Sequence, residues 1–181
     1  MTREEAATAV PLLWHVSDDP GITRFEPRLP PGPGAAVAHP VVWAVDDEHL
    51  VNYLFPRDCP RIAVRRSAGT SGEDTRRFLF PGEAGAVLFI EAPWFQRAAA
   101  APLWLYRMPA GPFACADAIA GYFVSPRTVV PDGVRRIDAP LAELLARGAE
   151  LRVVPRLRPV AEAVAASSLD FSIIRLRNAL A

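Results

Sequence analysis

The chain has 181 residues, 51% of them hydrophobic and 22% charged, and twenty basic side chains balance twenty acidic ones. That length suits one domain able to bury roughly 70% of the surface its unfolded form exposes, with no disulfide or metal staple required. A net charge of zero excludes a global field drawing the chain to nucleic acid or an acidic membrane, and the complete absence of lysine excludes a Walker-type phosphate loop, a Schiff-base lysine and a Ser–Lys pair.

The opening MTREEAATAVPLL carries acids and no apolar core of signal length, so residues 1–9 read as a flexible leader before a single globular domain over 10–181. No stretch approaches the ~18 apolar residues of a membrane span. The expected location is the cytoplasm, with Cys59 and Cys115 as two buried, reduced thiols.

LLWHVS from Leu12 reads as a strand ended by Asp18, Asp19, Pro20 and Gly21. Leu29 to Pro40 is a proline- and glycine-rich loop. VVWAVD, Val41 to Asp46, reads as a buried strand, after which Asp46 or Asp47 caps a short helix, EHLVNYL, stopped by Pro56. RIAVRR is a third strand and AVLFIEA, Ala86 to Ala92, a fourth; PWFQRAAAA comes next as a helix with Pro93 in its first turn. PLWLYRMP, GYFVS and VRRID supply further strands. Asp138 is expected to cap APLAELLAR, with Gly148 as its stop, and LRVVP returns to strand. From Pro159 onward the chain reads as helix, apolar on two sides or broken near Ser167–Ser168, with Ser168, Ser172 and Arg175 in a polar stripe between. The fold expected is α+β, one domain with a mixed, mainly antiparallel sheet flanked by short helices and a C-terminal helix.

Three histidines without H-E-x-x-H spacing or paired cysteines point to no metal site, and the acids Asp46, Asp47 and Glu48 beside His49 read as helix capping. Gly32 and Gly34 lack the strand and third glycine of a dinucleotide fingerprint, and no G-x-S-x-G elbow is present. Strand alternation puts His15 and Ser17 on one face. His15 is either a structural residue or a hydrogen-bonding group for a ribose or amide. Trp43 and Tyr53 are either core residues or rings that stack on a flat ligand. Glu91 is the acid placed to act as base or polar anchor, and Tyr122 and Ser125 are polar positions on the GYFVS strand.

HVSDDPGITRFEPR, VVWAVDDEHLVNYLFPRDCPR, FIEAPW, AGYFVS and ASSLDFSIIRLRNA together resemble an uncharacterised bacterial family of small proteins, a domain of unknown function, over nearly the whole chain. More loosely, the chain resembles the ADP-ribosyltransferase-like fold. That resemblance implies a ribose-holding His, matched by His15, and a ring that stacks on nicotinamide, matched by Trp43 or Tyr53. It also implies a catalytic Glu just before YFVS, where this chain has Gly121. The ligand it implies is a small-molecule nucleotide, NAD or ADP-ribose in type, in a cleft lined by His15, Ser17, Trp43, Tyr53, Tyr122 and Ser125, with Arg28 or Arg175 on the phosphates. Transfer would be weak or lost unless Glu91 or Asp117 supplies the acid. The alternative is a non-catalytic module that binds a protein or another small ligand.

Overall fold

The computed structural model describes residues 10–30 and 37–181; the leader read over 1–9, and residues 31–36 of the proline- and glycine-rich loop, lie outside them. The described residues are α+β, as the sequence predicts, with strands β1 (Leu13–Ser17), β2 (Val42–Asp46), β3 (Arg61–Arg65), β4 (Ala86–Glu91), β5 (Leu103–Met108), β6 (Ala114–Asp117), β7 (Tyr122–Ser125), β8 (Gly133–Ile137), β9 (Ala149–Val154) and β10 (Asp170–Ile174). Helices are short: α1 (Gly72–Asp74), α2 (Phe95–Ala100), α3 (Pro140–Ala146) and α4 (Arg158–Ala165). One sheet has the order β6-β7-β2-β1-β5-β8 and the other β10-β3-β4-β9. The described residues divide into two compact units, 10–15, 21–30, 37–50 and 105–135 belonging to the first, and 16–20, 51–104 and 136–181 to the second.

In the first unit β2 is the organising strand, antiparallel to β1 on one side and to β7 on the other. Its β-branched, apolar run VWAVD suits a pleated surface. Leu13, Val42 and Ala44 are buried on one face of this sheet, each large apolar side chain contributing about 1.5–3 kcal/mol. Asp46 ends β2, and its carboxylate accepts the main-chain N–H of His49 at 2.8 Å. The capping expected of Asp46 is therefore present, although it leads into a single 3₁₀ turn over Leu50–Tyr53 rather than a longer helix. ACAD, over β6, carries no apolar signal and is an exposed strand with a register shift between Cys115 and Asp117.

In the second unit β3 is buried throughout and pairs antiparallel with β4 and β10, while β4 and β9 run parallel. Ile62, Val64, Val87 and Phe89 meet Leu157, Ala161 and Val164 of the α4 region in one core. α3 starts after Ala139 with no side-chain cap, and the Asp138 carboxylate takes the Arg136 Nε–H at 2.7 Å instead. With Pro140 in the first turn there is one donor fewer for a cap to satisfy. Gly148, at φ +77, ends this segment as expected.

The C-terminal helix is the expectation the structure corrects. α4 stops at Ala165, Ser167 Oγ donates to the Val164 carbonyl at 2.7 Å, and the chain returns as β10 beside β3. Apolar residues on both sides of a helical wheel are here the two faces of a strand. Asp74 joins this turn to α1: its carboxylate is held below the usual carboxylate range, first by the Ser168 hydroxyl at 2.6 Å, then by the Ser168 main-chain N–H, with Ser71 adding to both.

Both cysteines are free, but only Cys59 is buried; Cys115 is exposed on β6. Burial pushes the Cys59 thiol up to about 11, partly offset by Arg61 and Arg97. A thiol-specific disulfide reagent at neutral pH is therefore expected to titrate one cysteine in the native protein and two after unfolding, since the thiolate is the reactive form. Equal rates for both would contradict the enclosure of Cys59.

Candidate functional site

The first unit presents three half-buried aromatic side chains on one face of its sheet. Trp14 stands opposite Val45, Val45 opposite Tyr122, and Trp43 opposite Val124. Alternation therefore places Trp14, Trp43 and Tyr122 together on the face opposite Leu13, Val42 and Ala44. Trp43 and Tyr122 meet edge to face, centroids 5.6 Å apart at 82°. The Trp14 indole is fixed by its Nε1–H, which donates to the Asp47 carboxylate at 2.7 Å. Val45 and Val124 are buried beside them. The result is a rigid aromatic surface with an acceptor at its edge, suited to stacking on a flat ring.

His15 does not share that surface. It comes one residue after Trp14 and so leaves β1 on the other side, where its ring lies 4.5 Å from Phe25, which in turn meets Tyr106 at 5.2 Å. Its Nδ1 is 2.8 Å from the Trp43 main-chain oxygen. A carbonyl only accepts, so Nδ1 carries the proton and donates. The imidazole thus satisfies a main-chain acceptor of β2 at the point where β1 and β2 cease to pair, and the two rings expected to face one cleft are joined through the backbone instead.

A second imidazole, read from the sequence only as part of a capping run, forms a tighter arrangement. His49 is 6% exposed, and its Nδ1 lies 2.8 Å from the Asp46 carboxylate. The carboxylate accepts, so Nδ1 carries a proton and donates it. The ring is pressed against Gly121: a Cβ there would lie 2.3 Å from Nδ1 and 2.5 Å from Cγ, and Gly121 has φ +68. The Gly121 carbonyl accepts the Asp46 N–H at 3.0 Å. The space that a side chain at position 121 would occupy is filled by the His49 imidazole.

The remaining candidates are dispersed. Ser125 is buried, its hydroxyl engaged with Arg127 N and O. Arg28 is exposed on an isolated bridge to Val41. Asp117 accepts from the N–H groups of Ile119 and Ala120 at 2.9 and 3.0 Å, a turn-forming role. Ser17, Tyr53, Glu91 and Arg175 belong to the second unit. Ser17 accepts from Asp19 N, Tyr53 lies 5.4 Å from the Arg61 guanidinium, and Arg175 adopts a left-handed conformation at φ 56 ahead of the last 3₁₀ turn. Glu91 is fully buried, and its carboxylate accepts from Leu157 N and Leu180 N.

Among the described residues no three His, Cys, Asp or Glu side chains form a group able to hold a metal ion, and no helix is long and apolar enough to cross a membrane. The fold and site define an α+β protein whose mainly antiparallel sheet offers an aromatic face, with His15 and His49 serving its framework. The chain belongs to the family of unknown function DUF6886, whose model matches residues 14–179. No curated protein and no solved structure matches it.

Proposed function

We propose that this protein binds a small nucleotide ligand, NAD or ADP-ribose in type, by stacking a planar ring on the Trp14, Trp43 and Tyr122 face, and does not transfer ADP-ribose. The observation that carries the reading is the edge-to-face Trp43–Tyr122 pair on a half-buried sheet face. A ring held this way presents a π-surface without further ordering of its side chain, which keeps the entropic cost of binding low. Asp47, already oriented by Trp14 Nε1–H, offers an acceptor beside it for an amide or ribose hydroxyl. Two features speak for binding without transfer. Gly121 is closed to a carboxylate by His49, and Glu91 is committed to main-chain amides.

The test is a titration of intrinsic tryptophan fluorescence with NAD and with ADP-ribose, repeated on Trp43→Ala. Saturable quenching is expected in the wild type, with affinity roughly tenfold weaker in the variant, as loss of one base–aromatic stack implies. No response to either ligand at millimolar concentration would end the proposal. Nicotinamide release from NAD would overturn its second half.

A further inference from the structure

An open sheet leaves main-chain groups unpaired along its two edges, and proteins ordinarily blunt such edges. In the first unit β6 carries a register shift between Cys115 and Asp117, and β8 sets Arg135 beside Arg136, so an identical strand laid against either meets a kink or like charge. In the second unit β9 is tied down, its Arg152 Nε paired with Glu150 at 2.8 Å and its Nη2 donating to the Phe80 carbonyl at 2.8 Å. β10, at the opposite edge of that sheet, has no such device. Its five residues, DFSII, contain no proline and pair with β3 in unbroken register. Among the described residues nothing bonds to its outward main-chain groups.

The side chains of β10 are unfinished in the same direction. Phe171 stands opposite Val64 and Ile173 opposite Ile62, so both lie on the core face. Phe171 is nevertheless 37% exposed, and Ile173 is half-buried. Neither the Asp170 carboxylate nor the Arg175 guanidinium makes a hydrogen bond or ion pair among the described residues. Arg175 directly follows the strand and is the one non-glycine residue among them with positive φ, at 56. That conformation is uncommon for arginine, and backbone outliers of this kind gather at functional places.

We propose that β10 is the interface of a homodimer, in which the β10 strands of two copies pair antiparallel about a two-fold axis and join two four-stranded sheets into one of eight strands. The strand is complementary to itself. Centring the axis on Ser172 is the register that pairs all five residues. Phe171 then faces the partner's Ile173 on the core side, and the two Ser172 hydroxyls meet at the axis. Asp170 faces the partner's Ile174, one residue from the partner's Arg175, and the symmetry repeats this contact. Aromatic with β-branched and acid with base are cross-strand pairs that stabilise a sheet. A foreign strand of one charge sign would satisfy one end of β10 and be repelled at the other, which favours a second copy of this chain. The dimer stands on the second unit alone and does not depend on nucleotide binding at the aromatic face.

The experiment is sedimentation velocity on the full chain up to hundreds of micromolar, where a concentration-dependent monomer–dimer equilibrium is expected. Asp170→Arg and Arg175→Asp each bring like charges together across the axis, and each should weaken association at least about tenfold. The double variant restores opposite charges with their positions exchanged and should recover the wild-type association. Circular dichroism should show Arg175→Asp folded as the wild type is, since aspartate tolerates the left-handed conformation. The register is read separately in a Cys115→Ser background, where Cys59 stays enclosed. Mild oxidation should join Ser172→Cys into a covalent dimer at least about tenfold faster than Ile174→Cys, which the axis holds four residues from its own copy. A monomer at hundreds of micromolar, a dimer that Arg175→Asp leaves intact, or equal cross-linking at the two positions would each overturn the proposal.

Discussion

Gly121→Glu is expected to unfold the first unit rather than install a transferase acid. The position looks vacant in sequence, a small residue where the resemblance to a transferase fold would place a carboxylate. In the structure its Cα faces the His49 ring, with a Cβ placed 2.3–2.7 Å from three ring and side-chain atoms. No rotamer of the new side chain relieves this, because the collision begins at the first carbon. The φ of +68 adds a second penalty, about 1–2 kcal/mol for any residue with a Cβ, and overpacking of a buried imidazole adds about 1–3 kcal/mol more. A total of about 2–5 kcal/mol is a large share of an ordinary domain's stability. Urea unfolding should show the midpoint falling steeply for Gly121→Glu and for Gly121→Ala alike. Pairing Gly121→Ala with His49→Ala should recover most of the overpacking loss and leave the backbone strain. Wild-type stability in Gly121→Glu would show that the ring is not held where it stands, and would reopen the position to catalysis.

Gly121 marks one boundary of what the chain reveals by residue type alone; other elements are plain in it. The apolar run AVLFIEA announces β4 because burial on both sides of a strand demands uninterrupted apolar sequence, and VVWAVD announces β2 by its β-forming residues. Leu141 and Leu144 at helical spacing similarly betray α3, and both are buried. The tail is harder. Phe171, Ile173 and Ile174 fit either period, and only the pairing of β10 with β3, more than a hundred residues apart, decides it. β6 leaves no mark because an exposed edge strand of small residues needs none.

The site divides in the same way. Trp43 and Tyr122 stand out by residue type, yet their company with Trp14 depends on register across β1, β2 and β7. His15 and Trp43 look like partners because they lie at corresponding places in adjacent strands. A one-residue difference in parity sends their side chains to opposite faces. Arg61 and Arg65 carry no sequence signal at all: arginines alternating with Ile62 and Val64 describe a solvent-facing strand equally well, and only burial on both faces of β3 shows otherwise. That the Asn52 amide nitrogen is buried without a hydrogen-bond partner is likewise encoded by no pattern of residue types.

Glu91 gives the second large effect, and it separates a catalytic acid from a structural one. The side chain is 0% exposed, and three main-chain contacts converge on it, Leu157 N at 3.0 Å on Oε1 and Leu180 N at 3.2 and 3.0 Å on the two oxygens. One carboxylate thereby joins the end of β4 to the residue leading into α4 and to the penultimate residue of the chain. Removing it strands two amides, each costing about 1–3 kcal/mol where no water replaces the acceptor, and opens a void where the side chain stood. Glu91→Ala should therefore lose about 3–5 kcal/mol in urea unfolding. Glu91→Gln, which keeps one acceptor but sets a donor against a donor, should lose about 1–3 kcal/mol. Carboxypeptidase should also trim the tail of both variants faster than that of the wild type, because Leu180 has lost its anchor. Ligand affinity at Trp43 should stay unchanged in Glu91→Gln under conditions where that variant is fully folded. The opposite pattern, in which Glu91→Gln keeps its stability and its tail protection while ligand chemistry fails, would make Glu91 the acid of a reaction.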